Sequence, residues 1–263
     1  MKRLTTVACA VLSLVLTFGT APQQTDSTPK ETAPVPRLFV NEAVGKTFIP
    51  LPGEETDPFS FVGSIHTTKG DLVGSGVLVA PNLVITAAHV AINRPVPTKM
   101  SFDGGRTFIH IKKVRYHDDY LKTQRRPANE TMADIAVILL DKSVDLPFIQ
   151  MNPASLRPYR GDSIIVIGFG HGMKAYTIPG AATLYGTLEG DDTLIWLATP
   201  SFAMGGDSGG AVLFRARSGQ WLLGGITKSR LQMNGAVLDS RATRVDKYFS
   251  WLQETMRELT ADQ

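Results

Sequence analysis

The chain has 263 residues, 27 Lys and Arg against 24 Asp and Glu, a formal net charge of +3 and 43% hydrophobic residues. So mild a balance, with the basic residues scattered, offers no clustered patch for nucleic acid. The one cysteine, Cys9, lies near the start of the chain, so disulfides and Cys-based metal sites are excluded for the rest of it.

Met1-Lys2-Arg3, an apolar run from Leu4 to Phe18 and the small residues Gly19-Thr20-Ala21 read as a signal peptide over residues 1–21. The run falls short of the roughly 20 apolar residues of a membrane span, so no stable membrane anchor is expected. A lipidated Cys9 fits poorly, because most of the apolar run follows it. The expected location is secreted or periplasmic. PQQTDSTPKETAPVPR, from Pro22 to Arg37, is polar and proline-rich, and residues 22–48 are read as a disordered tether or propeptide. Residues 49–263 are read as the folded part, with an internal boundary near 150–160.

Short apolar runs bounded by turn residues then recur: Gly76 to Val79, Leu83 to Thr86, Ile135 to Leu140, Ser163 to Ile167, Thr193 to Leu197, Ala211 to Phe214 and Trp221 to Thr227. They predict an all-β barrel or sandwich. Val245, Tyr248, Phe249, Leu252, Met256 and Leu259 fall at helical spacing and predict a C-terminal helix, with Thr243 and Asp246 as its capping box.

Three residues carry chemistry only as a set. His89 follows an apolar strand and two alanines. Asp134 stands at the mouth of a strand that is apolar on both faces, where a buried carboxylate needs a partner. Ser208 sits in GGDSGG, Gly205 to Gly210. A histidine can take the proton of a serine hydroxyl while a carboxylate fixes the histidine's tautomer. The Gly206 and Ser208 amides would then face the oxyanion of a tetrahedral intermediate. Gly206 to Gly210 also fits G-x-S-x-G, the nucleophile elbow of α/β-hydrolases, but that fold needs its histidine after the serine. All five histidines, His66, His89, His110, His117 and His171, come before Ser208. The order His, Asp, Ser survives.

With these motifs the chain resembles the chymotrypsin/trypsin-like serine endopeptidases over most of residues 58 to 260. Thr86-Ala87-Ala88-His89, Asp134-Ile135-Ala136 and Gly206-Asp207-Ser208-Gly209-Gly210 are similar to that family's three catalytic motifs. Gly168-Phe169-Gly170 is similar to its midway segment, and Thr243-Arg244-Val245, with Tyr248 and Trp251, to the opening of its last helix. The resemblance implies two antiparallel six-stranded β-barrels with a C-terminal α-helix, and peptide-bond hydrolysis through an acyl-enzyme by a monomer that needs no cofactor and no metal. It also implies a specificity pocket with Phe202 at its base beside Ala203, Thr227, Lys228 and Ser229 along its wall and substrate-pairing edge, and Asp239 or Ser240 on its far wall. No acid occurs from Ser201 to Met204, so cleavage after Arg or Lys is not expected; Thr227 stands where glutamate-specific bacterial relatives carry a histidine, so cleavage after Glu is not expected either, and a small or medium uncharged P1 residue is. In such proteases Asp207 receives a new N-terminus on activation, which here would arise between Arg37 and Phe48. The alternative is a non-catalytic binding protein on the same fold, a pseudoprotease or adhesin. A quality-control protease of the HtrA type is a further enzyme role, disfavoured because little chain follows the last helix to form a PDZ domain.

Overall fold

The computed structural model describes residues 39–41, 46–48, 57–123, 132–153, 160–177, 182–187, 192–198, 203–234 and 236–261. The segment read as a signal peptide, residues 22–38 of the tether, and Phe202 lie outside these. Two short strands do fall within the stretch assigned to the tether: β1 (Phe39–Asn41) and β2 (Lys46–Phe48) pair antiparallel with each other. Phe, Val and Thr are strand-favouring residue types, and the polar, proline-rich composition that marks the tether stops before them.

The first barrel is built from β3 (Val62–Thr67), β4 (Leu72–Ala80), β5 (Leu83–Thr86), β6 (Pro97–Ser101), β7 (Ile109–Tyr116) and β8 (Ala136–Leu140), closed in the order β3-β4-β5-β8-β7-β6. A short helix, α1 (Ala88–Ala91), follows β5, and α2 (Asp118–Thr123) follows β7. Val62, Ile65, Val77, Ile85, Met100 and Ile138 are buried in its core cluster. β8 is buried at every position.

The second sheet holds β9 (Ser163–Gly168), β10 (Ala175–Thr177), β11 (Ala182–Thr187), β12 (Thr193–Ala198), β13 (Ala211–Arg215), β14 (Trp221–Met233) and β15 (Ala236–Arg244). Pairing of β9 with β13 closes the six strands β9-β11-β12-β15-β14-β13 into a ring, while β10, β2 and β1 extend from β9 as an antiparallel flap. Alternation explains why its strands read as continuous apolar runs. Ile164, Val166, Val212 and Phe214 fill the second core, while their neighbours Ile165, Ile167, Ala211 and Leu213 join the cluster shared with the first barrel.

The chain ends in α3 (Phe249–Ala261), which packs against β8 and buries Leu252 and Leu259. Its start corrects the expected capping box. β15 runs to Arg244, so Thr243 is a strand residue opposite Ile226. The Thr243 hydroxyl donates to the Asp134 carbonyl at 3.0 Å, and Asp246 receives the Arg244 guanidinium. The pattern had the right spacing, but both polar groups are engaged elsewhere.

Candidate active site

Ala87, extended at φ −74° and ψ 141°, turns the end of β5 into α1 and places His89 in its first turn. Ala87 and Ala88 are fully buried, so this turn has no space for larger side chains. Across from it, Asp134 accepts twice from one residue: its Oδ1 from the His89 backbone N–H at 2.9 Å, and its Oδ2 from His89 Nδ1 at 2.8 Å. An ionised carboxylate only accepts, so Nδ1 carries the proton and Nε2 of the neutral ring is left as an acceptor. The Asp134 side chain is 6% exposed and that of His89 is 36% exposed, so the ring keeps one side open. Burial by itself would push the imidazole pKa down; the charge and hydrogen bond of Asp134 more than reverse this, against a smaller downward push from Lys228, and His89 ends above 6.5.

Asp134 is itself held from the second barrel. Ala133 is fully buried and adopts φ +52°, a left-handed conformation that costs a non-glycine residue about 1–2 kcal/mol. Asp192 supports it: Oδ2 accepts the Ala133 N–H at 2.5 Å and the Tyr248 hydroxyl at 2.7 Å. Oδ1 of Asp192 accepts from the Thr193 hydroxyl at 3.1 Å and lies 3.6 Å from Lys228 Nζ. With the clasp from Thr243 on its carbonyl, Asp134 is fixed on both sides of its own peptide.

Ser208 lies on a turn clamped from both barrels. The Ser75 N–H of β4 donates to the Ser208 carbonyl at 2.7 Å, the Ser75 hydroxyl donates to the Gly206 carbonyl at 2.7 Å, and the same hydroxyl accepts the Phe169 N–H at 3.0 Å. Gly209 N–H donates to Thr227 of β14 at 2.8 Å. Two glycines here are obligatory. Gly206 has φ +102° and Gly209 φ +85°, and a Cβ on Gly209 would stand 2.1 Å from the Ser75 carbonyl oxygen. A Cβ on Gly74 would meet both the Ser208 carbonyl and the Val90 side chain at 2.8 Å, so the serine turn and the residue after His89 come together over Gly74.

Asp207 is fully buried beneath this turn. Its carboxylate accepts the N–H groups of Gly170 at 2.8 Å and Met204 at 2.9 Å. A Cβ on Gly168 would fall 2.5 Å from Asp207 Oδ1, which explains a glycine of Gly168-Phe169-Gly170 that the sequence motif left without a reason.

A pocket of about 250 Å³ opens beside Ser208. Of the residues assigned to the specificity pocket, Ala203, Thr227 and Ser229 line it, together with Met204, Gly205 and Arg230. The Ala203 N–H donates to the Ser240 hydroxyl at 2.9 Å, which ties this wall to β15. The Lys228 side chain does not line the pocket. Pairing between β14 and β15 shifts register between Thr227 and Ser229; the bulge turns Lys228 into the buried cluster, where Nζ donates to the Thr193 hydroxyl at 2.6 Å. Only its backbone remains for a substrate-pairing edge. Arg230, which sequence reasoning missed, enters the lining through the same shift.

A carboxylate-held imidazole on one barrel and a glycine-clamped serine where the second barrel meets it are the layout of a chymotrypsin-type serine peptidase. The chain belongs to the Trypsin-like peptidase domain family, which matches residues 74–222, more than half of its length. That membership gives residues 74–222 a trypsin-like peptidase domain. The peroxisomal leader peptide-processing protease of Homo sapiens is 27% identical over 238 residues, covering 87% of this chain and 38% of that protein. The Mus musculus protein of the same name is 26% identical over 185 residues, covering 70% of this chain and 30% of that one. The chain thus spans well under half the length of both relatives. Among solved structures, neuropsin, a serine protease of mouse brain, superposes with a TM-score of 0.61 at 20% identity, covering 76% of this chain and 95% of that one. Human heparin binding protein gives 0.63 at 16% identity, covering 80% and 95%.

Proposed function

We propose that the protein is a secreted serine endopeptidase in which Ser208 attacks the substrate carbonyl. Nε2 of His89 takes the serine proton and later gives it to the leaving amine, and Asp134 holds the ring and stabilises the imidazolium. The Gly206 and Ser208 amides receive the oxyanion. The observation that carries this reading is the double hydrogen bond between Asp134 and His89, which leaves Nε2 of the neutral ring as an acceptor.

The pocket carries no carboxylate among its described lining residues, which argues against Lys or Arg at P1. Protein and peptide substrates are processed by a monomer. The basic start and apolar run of residues 1–18 support export to the periplasm or medium, whereas the curated relatives are named for the peroxisome. Activation by a cut between Arg37 and Phe48 is testable by N-terminal sequencing of active protein; full activity with residues 22–37 attached would refute it.

A fluorophosphonate probe should label the wild-type protein and spare Ser208→Ala, with labelling slowed in His89→Ala. Wild-type protein that stays unlabelled would instead favour a non-catalytic binding protein on this fold.

A further inference from the structure

We propose that the pocket beside Ser208 selects an acidic side chain, so that the residue whose carbonyl is attacked is Asp or Glu. This rests on the serine-endopeptidase reading above and replaces the uncharged P1 side chain that the sequence suggested.

Three groups carry it. Thr227 and Ser229 both line the pocket, and Thr227 Oγ1 and Ser229 Oγ are buried with no hydrogen-bond partner among the described residues. Buried hydroxyls without partners are costly, so a site that keeps two of them is shaped for a polar ligand. A hydroxyl can donate or accept, but the third group decides the sign, because a guanidinium only donates. Arg230 is tied to the pocket wall by Nη1 donating to the Ala203 carbonyl at 3.3 Å, which uses one of its five N–H donors. Asp239, opposite Leu231 on β15, is already engaged by Arg241 at 3.0 Å. Among the described lining residues the pocket therefore has one formal positive charge and no negative one.

The alternatives fit less well. A Lys or Arg side chain would meet Arg230 with like charge. An aliphatic side chain would cover two hydroxyls and a guanidinium while supplying no acceptor, and a site built to hydrogen-bond a group discriminates against analogues that lack it. A carboxylate accepts from all three.

The test uses end-blocked, internally quenched peptides identical except at P1, so that the only carboxylate offered is the side chain. Wild-type protein should cleave the Glu or Asp peptide about tenfold or more faster in kcat/KM than its isosteric Gln or Asn partner. Arg230→Gln should bring that ratio to about one, and Arg230→Glu should invert the preference towards Lys. Equal cleavage of acid and amide peptides, an acid preference that survives Arg230→Gln, or one confined to P2 or P3 would overturn the proposal. A protein that the fluorophosphonate probe labels but that shows no acid preference fails this inference alone. One that is neither labelled nor active fails the endopeptidase reading and this inference with it.

Discussion

Replacing Asp192 with alanine should damage both stability and turnover, because one carboxylate serves four neighbours. Asp192 is fully buried, Lys228 is 2% exposed, and their charges stand 3.6 Å apart. Breaking a buried pair by removing one partner costs about 3–5 kcal/mol. In a domain of this size each kcal/mol moves Tm by about 2–4 °C, so Tm should fall by about 6–20 °C. The Ala133 N–H and the Tyr248 hydroxyl lose their acceptor as well, which frees the strained turn that presents Asp134. On the assigned triad, kcat should therefore fall while KM changes little. Asp192→Leu combined with Lys228→Met separates the two effects: with both charges gone much of the lost stability should return, while the lower kcat persists because no acceptor is left for the Ala133 N–H and the Tyr248 hydroxyl. Thermal unfolding, denaturant titration at constant m-value and steady-state kinetics provide the readings. A Tm loss below about 2 °C in Asp192→Ala, or a double variant with wild-type kcat, would refute the strut.

The His89 folded-state pKa is raised above 6.5, so the base proposed at His89 is lost as pH falls through a value higher than that of a free histidine. NMR titration of His89 in Ser208→Ala should give a midpoint above 6.5, and Asp134→Asn should lower it. The linked stability is fully present below 6.5 and disappears as pH rises through the folded value, so the Ser208→Ala protein should lose a little Tm across that window. Gly209→Ala forces a Cβ against the Ser75 carbonyl at 2.1 Å in a φ +85° turn; activity should fall by orders of magnitude, and wild-type rates would refute the clamped turn. Lys174 is part-buried, its side chain 10% exposed, and paired with Asp57 at 2.5 Å, and the loss of solvent pushes its pKa down despite that carboxylate. Asp57→Ala should cost about 3–5 kcal/mol in unfolding experiments, and a loss under 1 kcal/mol would contradict the pairing.

The three catalytic candidates were legible because each is marked by its neighbours: an apolar strand before His89, an apolar strand after Asp134, and glycines around Ser208. Strand positions were legible for the same local reason. The Asp192 cluster was not, since it joins residues 133, 192, 193, 228 and 248 from distant stretches of chain, and no short pattern encodes that meeting. Thr243 and Asp246 show the opposite hazard: helical capping spacing is present, but strand pairing to Arg244 takes precedence. The pocket was half legible because strand alternation is a sound rule until a bulge breaks it, and at Lys228 one such irregularity exchanged the roles of two basic residues.

The clasp on Asp134 also sets when, during synthesis, this protein can become a protease. The proposed base, His89, and its carboxylate, Asp134, are made before the groups that fix the carboxylate, Asp192 and Thr243, and before the proposed nucleophile, Ser208. A growing chain that has completed its first barrel has no serine at the site and no restraint on Ala133. On the mechanism proposed, activity waits for β15 to dock. On the same reading, a chain truncated before residue 243 should accumulate without cutting its neighbours.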